Sequence, residues 1–173
     1  MPTPFQTLAG SGVPLLIIGS HAENAHGCPC EHRELECALA AADEARLAEY
    51  LGLRGWNMVY RTQFFAKYRL LSTGTPVIKA MFLDPVTFER LATGGFDFAF
   101  DNATLRVPSL LHVVAMKLQS LKNEPHLEID EMPQILALLR ANRANWKPED
   151  LTQACDRFGP PEIAQRLLPR LAS

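Results

Sequence analysis

The sequence predicts an α/β (α+β) chain: a short mixed sheet flanked by helices, followed by a C-terminal helical portion. Two observations carry that reading. Up to residue 108, short apolar runs rich in β-branched residues alternate with amphipathic stretches. From Ser109 onward the apolar residues recur only at helical spacing. The expected organisation is therefore an α/β core over 1–108 and a helical portion over 109–173 that packs on it as one compact unit.

Each element has a local reason. Residues 3–10 suit a short helix. "VPLLIIG" at 13–19 is an apolar run bounded by turn formers, as a buried strand is. Ser20 is placed to cap a helix over about 21–27, which Gly27 ends. "ELECALA" at 34–40 is a second strand, with Glu34, Glu36 and Ala38 on one face and Leu35, Cys37 and Leu39 on the other. "DEARLAEYLG" at 43–52 is a helix with acidic residues in its first turn.

"WNMVYRT", "FAKYRLLST" and "PVIKAMFLD" read as strands, the last two joined by a turn at "STGTP". Trp56, Phe64, Phe65 and Phe82 fit strand packing. A helix near 85–93 and two short strands, "FDFAF" and "ATLRV", complete the core. The second half holds helices over "SLLHVVAMKLQSLKN" and near 130–142, 149–157 and 160–171, with Pro at helix starts.

Composition narrows the function classes. The 173 residues are 47% hydrophobic and 21% charged, with a formal charge of −2. That balance suits a folded domain, and it gives no strong signal for nucleic acid or an anionic membrane, which need concentrated basic charge. The N-terminus lacks a basic, apolar leader, and no apolar run approaches a bilayer span, so a cytoplasmic location with four thiols is expected. Gly-x-Ser-x-Gly, Walker, Rossmann and His-Glu-x-x-His patterns are missing.

The chemistry concentrates in "LLIIGSHAENAHGCPCEHRELECALA". A Gly19-Ser20 turn at a helix start offers N–H groups and a hydroxyl to a phosphate. Glu34 and Glu36, two apart on a strand, point the same way, roughly 6.5–7 Å apart. Such a pair can hold Mg²⁺ against a triphosphate. His26, Cys28, Cys30 and His32 form a competing metal or redox motif, although their spacing is poor for structural zinc. His21 and His112, single histidines in expected helices, read as structural or surface residues rather than catalytic ones.

These residues resemble the opening of the nucleotidyltransferase-fold proteins of the minimal and antitoxin-paired toxin type. That pattern is an apolar strand, Gly-Gly or Gly-Ser, a His-Ala-x-Asn-Ala-His-Gly-like segment, then Asp-x-Asp. Thirteen residues separate Ser20 from Glu34, a matching distance. "PVIKAMFLDPVTFERL" resembles the strand bearing the family's third carboxylate, and "VPSLLHVVAMKLQSLKN" resembles its Met-Lys-Leu helix, whose lysine is Lys117.

The resemblance assigns Glu34 and Glu36 to the Asp-x-Asp positions, Lys79 to the third-carboxylate position, and Gly19, Ser20 and Lys117 to nucleotide binding. It also implies an NTP as ligand, with a small antitoxin-like protein or a second copy of the chain as partner. The departures are physical. Glu carries an extra methylene, the Thr and Arg that precede the acidic pair are not matched, and "HLEIDEM" puts Glu128-Ile129 where the family has Lys-Asp. Lysine at position 79 removes a ligand and adds positive charge, which repels a cation.

Two readings follow. In the first the protein is catalytically degenerate: the Lys79 ammonium sits between Glu34 and Glu36, replaces the metal, and leaves a nucleotide- or partner-binding cleft. In the second it is an active transferase that moves an NMP from an NTP to a protein or RNA hydroxyl, with Mg²⁺ on Glu34 and Glu36. A carboxylate elsewhere, such as Asp84 or Asp97, would then complete the site.

Overall fold

In the computed structural model, which describes residues 2–29, 34–72 and 77–172, the chain divides into two compact units. One comprises residues 1–22 and 30–109, and the other residues 23–29 and 110–173.

The first unit is a seven-stranded mixed sheet with helices. Helix α1 (Pro4–Ala9) starts at Thr3, whose hydroxyl accepts from the Gln6 amide while the Gln6 side chain accepts from the Thr3 amide. This reciprocal cap satisfies two donors that the first turn leaves open. Strand β1 (Leu16–Ile17) is shorter than its apolar run: Leu16 and Ile17 pair with Ala38 and Cys37, and the Ile18 amide still donates to the Glu36 carbonyl at 3.0 Å as the chain turns into the next helix. Helix α2 (Gly19–Ala25) begins at Gly19, one residue before the expected serine cap, and the exchange between units falls within it.

Then come β2 (Leu35–Ala40), a 3₁₀ turn (Ala41–Asp43), α3 (Glu44–Gly52), β3 (Trp56–Arg61), β4 (Phe65–Leu70), β5 (Val77–Leu83), α4 (Pro85–Ala92), β6 (Phe96–Phe100) and β7 (Ala103–Val107). The spatial order is β3-β4-β5-β2-β1-β7-β6. β2 runs parallel to β5, and β1 parallel to β7; the other neighbours are antiparallel. β3 and β6 are thus the two edges.

In β5 burial alternates, with Ile78, Ala80 and Phe82 buried and the intervening residues partly exposed. In β2 the Glu36 face departs from the expected two-faced pattern at Ala38, which is buried like Cys37 and Leu39. Cys37 is fully buried, as its strand face requires. Among the aromatic residues, Trp56 and Phe82 are buried, whereas Phe64 lies 63% exposed. Phe64 belongs to the β3–β4 connection rather than to a strand, so the ladder does not draw it inward. The "STGTP" turn lies largely outside the described residues.

The second unit is helical: α5 (Leu110–Asn123), α6 (Glu128–Ala141), α7 (Pro148–Phe158) and α8 (Ile163–Ala172). The apolar stripe of α5 is buried through Leu110, Val113, Val114, Leu118 and Leu121. The Trp146 indole donates to the Leu139 carbonyl at 2.8 Å, which satisfies its N–H inside the core. Asn142 donates to the His26 carbonyl at 2.7 Å and so ties residues 23–29 into this unit. Among the described residues, no helix is long and apolar enough to cross a membrane.

Candidate functional site

Strand register assembles the candidate site in the first unit. Glu36 of β2 lies opposite Lys79 of the parallel β5, and Lys79 lies opposite Lys67 of the antiparallel β4. Directly opposed residues share a sheet face. One row across three strands therefore reads Glu36, Lys79, Lys67, and Glu34 stands just ahead of β2.

Two ion pairs result. Lys79 Nζ donates to Glu36 Oε2 at 3.1 Å, and Lys67 Nζ donates to Glu34 Oε1 at 2.7 Å. The expectation that Lys79 alone would sit between both glutamates is corrected. Register holds Lys79 against Glu36, and a second lysine, on the neighbouring strand, takes Glu34. Two lysines directly opposite one another repel, and the two carboxylates offset that. All four side chains are 26–32% exposed, so the cluster is balanced and reachable by solvent. The Phe65 ring lies 5.5 Å from Lys79 Nζ, within cation–π range.

This donor set does not fit Mg²⁺. The ion takes near-octahedral oxygen ligation and repels ammonium groups. Here each carboxylate is paired with an ammonium, and Lys79 and Lys67 bring positive charge beside both. Asp84 and Asp97 do not restore the set. Asp84 caps α4, accepting the Thr87 amide at 3.0 Å, and that hydrogen bonding holds its carboxyl below the ordinary range. Asp97 is paired with Arg106 at 3.2 Å.

Gly19 adjoins the row. Its φ is +63°, in the left-handed region that favours glycine. A Cβ added there would lie 3.0 Å from Glu36 Oε1, so the absence of a side chain lets the turn meet the longer glutamate. Ser20 follows as the second residue of α2.

Lys117 belongs to the helical unit, where it is almost wholly buried. Its ammonium meets Glu23 at 2.8 Å, Glu131 at 2.8 Å and Gln134 at 2.6 Å. Three protons thus meet three acceptors, and none is left for a phosphate. Burial alone would lower the Lys117 pKa, but the charges and hydrogen bonds of Glu23 and Glu131 outweigh it and raise it. Glu23 is 2% exposed, and its Oε2 has no hydrogen-bond partner among the described residues. Glu128, at the family's Lys-Asp position, is paired with Arg166.

Of the competing metal motif, Cys30 and His32 lie outside the described residues. Burial and the Glu23 charge raise the Cys28 thiol above its ordinary value. Among the described residues, no three His, Cys, Asp or Glu side chains converge as a metal would need.

No protein-family model and no curated protein sequence matches the chain. Solved structures do. An antigenic nucleotidyltransferase-like protein from Paracoccidioides brasiliensis matches with a TM-score of 0.59 at 13% identity, over 97% of this chain and 88% of that one. The solution structure of the antibiotic-resistance factor ANT(2'')-Ia matches with a TM-score of 0.57 at 12% identity, over 96% and 84%. The crystal structure of ANT(2'')-Ia in complex with adenylyl-2''-tobramycin matches with a TM-score of 0.53 at 14% identity, over 96% and 90%. At such identities the likeness speaks to architecture, and the architecture of this chain is the nucleotidyltransferase fold.

Proposed function

We propose that this chain is a catalytically degenerate nucleotidyltransferase-like protein that binds a nucleotide without a metal ion. The observation that carries the reading is the double ion pair, Glu36–Lys79 and Glu34–Lys67, at the positions the family resemblance assigns to metal chemistry. The lysines neutralise the two carboxylates as Mg²⁺ would, so a phosphate approaching Gly19 and Ser20 meets no net negative charge. One structural neighbour is bound to adenylyl-2''-tobramycin, which supports a nucleotide as the ligand class.

Transfer is a different matter. Phosphoryl and nucleotidyl chemistry depends on placing divalent charge on the leaving and attacking oxygens. Paired ammonium groups fixed in a sheet do not supply that, which weighs against the active reading.

Calorimetric titration of ATP, GTP, CTP and UTP, each with Mg²⁺ and with EDTA, tests the proposal. At least one nucleotide is expected to bind with the same affinity in both conditions. Binding that requires Mg²⁺ would overturn the metal-free reading. Absence of all binding would remove the nucleotide and leave the fold as a protein scaffold.

A further inference from the structure

Exposed apolar surface is not spread evenly over this molecule. Eight large hydrophobic residues are exposed among the described residues, and six of them fall between positions 53 and 71: Leu53, Met58, Val59, Tyr60, Phe64 and Leu71. That stretch is the β3–β4 hairpin and its flanks. It also contains an edge of the sheet, because among the described residues β3 has β4 on one side and no strand on the other.

After Trp56, every residue of β3 is exposed, on both faces of the strand. Natural edges are commonly defended by charge, proline, a bulge or a covering element, and of these β3 has only a bulge, between Met58 and Tyr60, among the described residues. Residues 55–60, Gly-Trp-Asn-Met-Val-Tyr, carry neither charge nor proline. The next residue, Arg61, is held within its own chain by Glu44 through contacts of 2.6 and 3.0 Å. The opposite edge, β6, differs: its exposed Asp97 is paired with Arg106.

We propose that β3 pairs antiparallel with the β3 of a second copy of this chain, across a two-fold axis near Met58. An open edge offers backbone donors and acceptors in a row, so the occupant that satisfies it is a strand. The charge pattern selects which strand. An uncharged edge gains nothing from an acidic or basic partner, whereas its own copy sets no like charges opposite one another. In that register Met58 faces its own copy and Tyr60 faces Trp56, while Arg61 lies at the end of the pairing against Gly55 and arrives already neutralised by Glu44. Pairing through one edge closes on itself as a dimer, whereas joining β3 to β6 of another copy would propagate. The bulge between Met58 and Tyr60 interrupts the flat edge and keeps the pairing short.

Sedimentation velocity on the full chain, across roughly a hundredfold range of concentration, tests this together with hydrogen exchange. The chain is expected to sediment at twice its mass at the upper end, and the amides of residues 56–61 to gain protection as dimer forms. Val59→Lys and Met58→Glu each place like charges across the axis at exposed positions. Each should weaken association at least tenfold while the circular dichroism spectrum stays that of the wild type. Two variants guard against one failing to fold. A wild type monomeric throughout, or a dimer that both variants leave intact, would overturn the proposal.

Discussion

The molecule contains two lysine–carboxylate clusters, and they differ in depth and balance. On the sheet, two lysines meet two glutamates, all about one-quarter to one-third exposed. In the helical unit, the Lys117 side chain is 11% exposed and answers to two carboxylates, Glu23 and Glu131, whose side chains are 3% and 22% exposed. The first cluster is neutral and partly solvated, so its pairs contribute little to stability. The second is centred on a buried Lys117–Glu23 pair, with Glu131 at its more exposed rim, and carries an excess carboxylate. The same residue types thus form a partly solvated cluster in one place and a buried one in the other.

The largest way to break this comparison is to remove Lys117. Lys117→Met leaves Glu23 buried without its cation, and loss of one partner of a buried pair costs about 3–5 kcal/mol. Urea unfolding should show a loss of that size, and adding Glu23→Gln should recover part of it. A Lys117→Met loss below about 1 kcal/mol would place the pair with the weak surface class.

The reverse face of β2 sharpens the contrast. Cys37 lies behind the row, fully buried, and burial followed by the Glu36 charge pushes its thiol up to about 12 from an ordinary 9.0. In the unfolded chain that thiol ionises first. The unfolded state then binds fewer protons, and stability falls as pH rises. Between pH 8 and pH 11 the wild type should lose about 2–3 kcal/mol more than Cys37→Ala, measured by denaturant unfolding at each pH. Parallel curves for the two proteins would mean that the thiol is not held neutral by burial.

The smallest effect belongs to the sheet cluster. Lys67→Ala and Lys79→Ala should each cost no more than about 1 kcal/mol, because the pairs are partly solvated. Their thermal midpoints should stay within a few degrees of the wild type. A loss comparable to that of Lys117→Met would erase the distinction between the clusters.

Much of this was legible in the sequence, because the elements depend on local periodicity. The short apolar run of "PVIKAMFLD" after a turn marked β5, and the apolar stripe around Lys117 marked α5. The association of Glu36 with Lys79 followed from placing both on the family's pattern. Lys67 was not legible. Its meeting with Glu34 depends on the β4–β5 register, which juxtaposition in space sets and a linear pattern does not encode.

Glu23 and Lys117, ninety-four positions apart, were hidden for the same reason. The one available signal was a lysine on an apolar stripe, which must either snorkel outward or find a buried anion. The exposure of Phe64 was misread because aromatic residues near strands are usually drawn inward, whereas this one lies in the β3–β4 connection.

The central claim is that two lysines occupy the place of a metal ion. Mn²⁺ serves as a paramagnetic stand-in for Mg²⁺, and its free signal in electron paramagnetic resonance reports binding directly. The wild type should leave that signal unchanged at millimolar ion, whereas Lys67→Ala/Lys79→Asp, which restores a third carboxylate and removes both ammonium groups, should quench it. Quenching by the wild type that Glu34→Gln/Glu36→Gln abolishes would contradict the account and return the site to metal chemistry.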